Sequence, residues 1–569
     1  MSRPFARALL VLVALAHATF FIIYQSPDWL TEWTDQVGYT RLGQALAETG
    51  RFSRYPNDPR FIPEVIRTPG YPLFVAAVNR VVGQGHLPVA AAQAGIFVAI
   101  CLLVGRMARL VATEQTAFAA ALLTSLYPPL PYFAALTLTE VFTTFLVTLG
   151  VYLWLRGLSG GSGWGAAAGA ILAWAALSRP SFQYLAVALA TAACLFSPRG
   201  AIARRRSVVM LAVCVAVLTP WLLYNAVYLN MLTFTPAGGI GRTLWEGTWQ
   251  IALPGRVQST LTEMADTTPD RGALDARIRD YADRLQMDDS AMLRYVHQWQ
   301  DIRRIWTEPQ EPWERARARI AADREYRRVA LENIRRDPVR HVWLRMTRGV
   351  LLLWVTEIPV RYTDINALPP LAIRAIWFPQ AVLMVAAIGG LYTLWTLGAR
   401  REAAAFAAVI AYVTAVHAAL YSEARYALPA KPIVLLLATV AVSRTAIRRV
   451  RSGGSSGSVG QVGRAGQVGQ RIWKVVSTHL PPRDPLLLPT RLTATHPTHP
   501  PHATHSTRPQ QTLPSSQSHA GEKQTPEQPR TPKRDGAGSK RSHIEHLAYR
   551  HVKIVPAAPD ARWPALRFM

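Results

Sequence analysis

The sequence predicts an all-α membrane protein of about ten to eleven transmembrane helices, because apolar runs of roughly 20 residues recur along it and that length crosses a hydrocarbon core. Two further observations support this class. Of its residues 50% are hydrophobic and only 17% are charged, whereas a soluble chain carries roughly 25% charged residues. Arginines also gather at one end of successive apolar runs, as in a protein oriented in a bilayer. The net charge of +27 therefore reads as membrane orientation, and nucleic acid is excluded as a partner.

The first run, Leu9 to Tyr24, lies behind Arg3 and Arg7. Ala16-His17-Ala18 resembles a signal-peptide cleavage site, but the run continues beyond it, so an uncleaved signal anchor is expected. Further runs lie at 87–105, 115–130, 136–155, 163–178, 181–197, 207–228, 371–398, 402–421 and 427–443. Arg106, Arg109, Arg156, Arg199, Arg204 to Arg206, Arg400, Arg401, Arg444, Arg448 and Arg449 mark the cytoplasmic face. This places both termini in the cytoplasm and the loops at 26–86 and 229–339 outside. Counting 340–357 as a span would move Arg400 and Arg401 outside, so it is expected to be an interfacial or re-entrant helix.

Four regions follow: an N-terminal membrane region at 1–228 containing the first outer loop at 26–86, an outer helical loop at 229–339, a C-terminal membrane region at 340–450, and a basic cytoplasmic tail at 451–569. In the outer loop Tyr326, Val329, Ala330 and Ile334 recur at helical spacing. Asp337-Pro338 then restarts the chain as an N-cap with Pro at the first helical position. The tail repeats Gly-Gln-Val-Gly at 460–463 and 466–469 and turns to Pro, His, Thr and Ser. That composition buries too little apolar surface to fold, so disorder is expected. His496, His499, His502 and His505 raise metal binding, but a solvated polar tail is the preferred reading. Cys101, Cys194 and Cys214 all fall in apolar runs and read as small packing residues.

Candidate chemistry gathers at the outer ends of the runs. Asp35, in Asp35-Gln36-Val37-Gly38-Tyr39, sits just beyond the first run. A carboxylate there suits a general base on an acceptor hydroxyl, or a metal ligand. Arg67-Thr68-Pro69-Gly70-Tyr71-Pro72 fixes a turn beside a guanidinium suited to phosphate. Glu140 opens an apolar run on the same side, where the helix dipole alone would favour an acid. Glu423-Ala424-Arg425-Tyr426-Ala427-Leu428-Pro429 supplies a second outer cation for a phosphate leaving group. Pro220-Trp221-Leu222-Leu223-Tyr224-Asn225 closes a run with interfacial aromatics.

Taken in order, Asp35 with Tyr39, the 67–72 turn, Tyr127-Pro128-Pro129, Thr139-Glu140, Pro220-Trp221 with Asn225, and Arg425-Tyr426 with Pro429 resemble the C-type glycosyltransferase superfamily. The resemblance is to bacterial members related to protein O-mannosyltransferases and the lipid A aminoarabinose transferase, and it covers about residues 1–450. It implies a first outer loop of short helices lying on the membrane, a polyprenyl-phosphate sugar donor, and catalysis on the outer face of the cytoplasmic membrane. It implies Asp35 and Glu140 as catalytic acids, Arg67, Arg425 and Tyr426 as donor-phosphate residues, and Tyr39, Tyr71 and Asn225 as supports. Tyr224 departs from relatives that carry Arg before the Asn, and the single Asp35 departs from the acidic pair of eukaryotic mannosyltransferases. A divalent metal is left open, with Asp35 and Glu140 as its candidate ligands. The acceptor is an envelope lipid, polysaccharide or protein. Rival readings are a polysaccharide ligase using a diphosphate lipid donor and a lipid or polysaccharide transporter. The transporter would call for paired helix breaks in two repeated halves, and no internal repeat is seen.

Overall fold

The computed structural model describes residues 3–25, 34–197, 200–361, 364 and 368–443. The readings of the 451–569 tail, its histidines and Arg444, Arg448 and Arg449 lie outside the described residues.

All regular structure among the described residues is helical. The first half carries α1 (Arg3–Gln25), α2 (Thr34–Thr49), α3 (Gly70–Val81), α4 (His86–Ala108), α5 (Glu114–Ser125), α6 (Pro129–Ala134), α7 (Thr139–Ser159), α8 (Ser162–Ser178), α9 (Leu185–Phe196) and α10 (Gly200–Leu229). The intervening segment carries α11 (Ile240–Ala252), α12 (Gly255–Thr267), α13 (Arg271–Leu285), α14 (Asp289–Thr307) and α15 (Pro312–Arg336). Then come α16 (Pro338–Leu344), α17 (Val350–Val355), α18 (Pro370–Thr396), α19 (Arg400–Ala419) and α20 (Lys431–Val442), with a 3₁₀ stretch at Ala424–Ala430 leading into α20.

Seven described helices are long and apolar enough to cross a membrane: Pro4–Gln25, His86–Ala108, Thr139–Ser159, Gly200–Leu229, Leu371–Thr396, Arg400–Ala419 and Ala424–Val442. The chain is a multi-pass membrane protein, with seven such helices among the described residues where ten or eleven spans are expected from the sequence. The run at 115–130 stops as the 12-residue α5, because Pro128, Pro129 and Pro131 follow and proline cannot donate to a helix. The runs at 163–178 and 181–197 form the 17-residue α8 and the 12-residue α9, with Pro180 between them. At 1.5 Å per residue the 12-residue α5 and α9 cover roughly 18 Å, short of a hydrocarbon core of roughly 30 Å.

The membrane core is built by small residues that let backbones approach. A Cβ on Gly169 of α8 would overlap the Met210 carbonyl of α10. One on Gly150 of α7 would press on Leu172 at 2.7 Å. The first helix is part of this core through buried Ala14, Ala18 and Phe21, and the His17 ring nitrogen lies 2.9 Å from the Ser125 carbonyl.

The segment at 240–336 has its own aromatic core of Trp245, Trp249, Tyr295, Trp299 and Tyr326. It is helical from Ile240 onward, in five helices, α11 to α15. Asp337 caps α16 as expected, accepting from the Arg340 amide. The 340–357 run forms α16 and α17, joined by a π turn at Arg345–Gly349. Arg345 in that turn is buried and reaches the 417–422 corner. Glycine fastens α11 on two sides. A Cβ at Gly241 would strike the Asp323 carbonyl and one at Gly247 the Leu420 carbonyl, while Gln250 Nε2 donates to the Ser422 carbonyl at 2.6 Å.

Candidate active site

Asp35 stands in the first turn of α2 and is met by Arg67 from the turn before α3. Arg67 Nη2 donates to Asp35 Oδ1 at 2.8 Å. Local geometry explains why both motifs are needed. Gly38, one turn on from Asp35, leaves the space that the Arg67 guanidinium fills, and a Cβ there would collide with it. The guanidinium then lies 4.5 Å over the Tyr39 ring. Behind it, Glu64 holds the turn by accepting from the backbone amides of Ile66 and Arg67 and from Arg54 Nε at 2.6 Å. Burial raises the Glu64 carboxyl, but Arg54, Arg67 and these donors outweigh it and hold it below the usual carboxylate range. Gly70 brings the same turn against the backbone of Leu177 and Ser178, next to Arg179.

Arg425 closes the arrangement from the other end of the chain. Its Nη2 lies 4.0 Å from Asp35 Oδ2, its Nη1 3.7 Å from Glu140 Oε1, and its Nε 3.0 Å from Glu423 Oε2. Arg179 Nη1 donates to Glu140 Oε1 at 3.3 Å. Asp35, Glu140 and Glu423 thus interleave with Arg67, Arg179 and Arg425 in one network. The Tyr426 ring lies beneath two of these cations, 4.4 Å from Arg179 and 5.3 Å from Arg425.

Exposure separates the members. The Asp35 side chain is 49% accessible, against 12% for Arg67 and Arg425 and 3% for Glu140. Asp35 is therefore the most exposed carboxylate of the network, ahead of Glu423 at 24%. Being surrounded by protein raises its carboxyl, but the charges of Arg67, Arg425 and Arg242 prevail and hold it below the ordinary range. Glu140 lies beneath two guanidiniums and can act on a substrate only through them, which narrows the catalytic role expected of it. As a shared metal site the two acids fit poorly, because Arg425 approaches both. Among the described residues no group of three or more His, Cys, Asp or Glu side chains could hold a metal ion.

The supporting residues divide. Tyr39 touches the Arg67 cation and packs edge-on against Tyr71, with ring centroids 5.1 Å apart. Tyr71 is fully buried and donates its hydroxyl to Gln93 Oε1 at 3.1 Å, so it braces α3 on α4. Asn225 is held at the end of α10, donating to the Thr233 carbonyl at 2.8 Å and accepting from the Met231 amide. These contacts tie down a helix end rather than joining the charge network.

Sequence reasoning missed Arg179, Glu423 and Arg242. Arg179 had a signal: it is an arginine between two apolar runs at the end opposite the other flanking arginines. Glu423 stood inside a motif read for its cation. Arg242 is carried in by α11, whose docking against Leu420 and Ser422 depends on glycine contacts invisible in a linear pattern. It pairs with Glu246 one turn on, at 2.8 Å.

No curated protein matches the chain in sequence. Among solved structures, the archaeal oligosaccharyltransferase AglB from Archaeoglobus fulgidus, in complex with an inhibitory peptide and a dolichol-phosphate, is 14% identical at a TM-score of 0.43, covering 77% of this chain and 50% of that one. This chain thus spans about half the length of that oligosaccharyltransferase. ArnT from Cupriavidus metallidurans, bound to undecaprenyl phosphate, is 15% identical at a TM-score of 0.35, covering 78% of this chain and 79% of that one. Residues 66–224, which include Arg67, Tyr71, Glu140 and Arg179, match the family model of dolichyl-phosphate-mannose-protein mannosyltransferases, so the resemblance to C-type glycosyltransferases that the motifs carry is met by a family match over that part of the chain.

Proposed function

We propose that the chain is a membrane glycosyltransferase that moves a sugar from a polyprenyl-phosphate carrier to an envelope acceptor on the outer face of the cytoplasmic membrane. The observation that carries this reading is the half-accessible Asp35 carboxylate held between Arg67 and Arg425. Its oxygens face guanidiniums as phosphate oxygens would, since both anions suit the planar fork of arginine.

In this reading the donor phosphate displaces Asp35 from the two arginines. The carboxylate then loses the cations that hold its proton affinity down, beside a new negative charge that raises it. Asp35 so becomes a better base when the donor is in place. The acceptor oxygen forms a bond to the anomeric carbon, the bond from that carbon to the phosphate oxygen breaks, and the acceptor proton passes to Asp35. Polyprenyl phosphate leaves with one more negative charge, which Arg67 and Arg425 neutralise. Glu140 and Glu423 position the arginines, and Tyr426 is their aromatic shelf.

The test is turnover of a polyprenyl-phosphate sugar by the purified protein in detergent. Turnover supports the reading, and activity only with a diphosphate-linked donor would replace it with the ligase. Sidedness is tested separately: a cysteine at Asp270 should react with an impermeant thiol reagent in intact, wall-permeabilised cells, and reaction only after lysis would invert the topology.

A further inference from the structure

Glu357 follows α17 and none of the sequence motifs includes it. It is 7% accessible, and its Oε2 is buried without a hydrogen-bond partner. The polar groups around it satisfy one another instead. Lys431 Nζ, itself buried, donates to the Trp354 carbonyl at 2.8 Å and to Gln380 Oε1 at 3.2 Å. Gln380 Nε2 donates to the backbone carbonyl of Glu357 at 2.9 Å, and the Tyr127 hydroxyl donates to Gln380 Oε1 at 2.8 Å. An ionised carboxylate with an orphaned buried oxygen is strongly disfavoured, and protonation relieves it.

The charged groups that act on Glu357 include the candidate site. They are Glu423 and Arg425 from the stretch before α20, Lys431 at the start of α20, and Glu140 from α7. Tyr127, between α5 and α6, is a further titratable neighbour. Burial first, then Glu423 and Glu140, push the Glu357 carboxyl up to about 8 against the pull of Lys431 and Arg425.

We propose that Glu357 is a positioning residue of the donor-phosphate site, which as a neutral acid leaves the Arg425 charge to the phosphate and as a carboxylate competes with it. The proposal rests on the donor reading above. Asp35, Glu140 and Glu423 already surround Arg425 within 4.0 Å. A fourth negative charge from Glu357 would set Arg425 against repulsion it cannot offset. Docking a phosphate must therefore raise the proton affinity of Glu357, and binding draws in a proton wherever that group is part-ionised.

The test is binding of a polyprenyl-phosphate sugar, a phosphodiester that does not itself titrate between pH 7 and pH 10, to the detergent-purified full chain. Affinity of the wild type should fall about tenfold between pH 7.5 and pH 9.5, because the proton is bound more tightly in the complex than in the free protein. Glu357→Gln should flatten that profile, and Glu357→Asp, which restores a titratable carboxyl, should bring the slope back. A slope that persists in Glu357→Gln and disappears in Lys431→Met would assign it to the lysine and overturn the proposal. Should Glu357→Gln fail to fold, calorimetry of the wild type at pH 8 in buffers of different ionisation heat decides: proton uptake on binding supports the proposal, and none overturns it. A pH-independent wild-type affinity overturns this proposal alone, whereas no binding at any pH removes the donor reading and the proposal with it.

Discussion

Two arginine environments lie close together in this chain and differ in what their guanidiniums face. Arg345, 3% accessible, donates to the Ala418 carbonyl at 2.6 Å, the His417 carbonyl at 2.9 Å, Ser422 Oγ at 3.1 Å and Gln250 Oε1 at 2.8 Å. Those partners are neutral. The cations of Arg67, Arg179 and Arg425 are nearly as enclosed, with 12% of each side chain accessible, but they face carboxylates. Main-chain carbonyls cannot leave, so Arg345 is a fixed strut. Carboxylates carry charge of the same sign as phosphate, and one of them, Asp35, is exposed enough to be exchanged. Arginines of similar burial therefore sit in different environments, Arg345 among neutral groups and Arg67, Arg179 and Arg425 among carboxylates.

Substitutions sharpen this contrast in a graded order. The largest effect is expected at Asp35. Asp35→Asn keeps size and polarity but cannot accept the proton, and general-base catalysis is worth about 100- to 10,000-fold. Turnover of the lipid-phosphate sugar should fall by that order while donor binding persists, and near-wild-type turnover would reject the base. Arg67→Ala should act on binding instead. Hydrogen bonds to a charged group contribute about 1.5–3 kcal/mol, so donor affinity should drop roughly ten- to a hundredfold. Titrating the protein with the lipid donor reads this directly.

Gly38→Ala touches neither charge. The added methyl takes the place of the Arg67 guanidinium, the mobile end of a flexible side chain. We expect several-fold weaker donor binding with an unchanged melting temperature, and a large loss of thermal stability would show that the glycine serves packing instead. Arg345→Met should have the smallest effect on donor affinity. It strands the carbonyls of His417 and Ala418, which costs about 1–3 kcal/mol, so thermal unfolding in detergent should shift down. A drop in donor affinity as large as that of Arg67→Ala would break the distinction between the two environments.

The residues show why part of this was legible in the sequence. Asp35, Arg67, Glu140 and Arg425 stand near the ends of apolar runs, where charge is conspicuous against a uniform background. Arg242 and Glu357 were hidden because only tertiary docking brings them near: α11 through its glycines, and Glu357 through the Lys431 and Gln380 contacts. Tyr71 and Asn225 matched motifs, yet their contacts brace helices. The expected span count exceeds the seven described helices that are long and apolar enough, in part because hydropathy does not register where proline ends a helix, as at Pro128. The cap at Asp337 was visible because capping is local.

The π turn at Arg345–Gly349 has a consequence for insertions and deletions. A π turn is an α-helix with one surplus residue. Removing one residue among 346–348 would let the stretch rewind as plain α-helix, because the wide turn holds one residue more than an α-turn over nearly the same rotation. The helical segments on either side would keep nearly their present phase. The same deletion within plain α-helix, as in α17, has no surplus residue to absorb it and would turn everything upstream by about 100°. The extra residue works as slack between two helical segments, so a one-residue loss here should disturb the protein less than the same loss a turn further on.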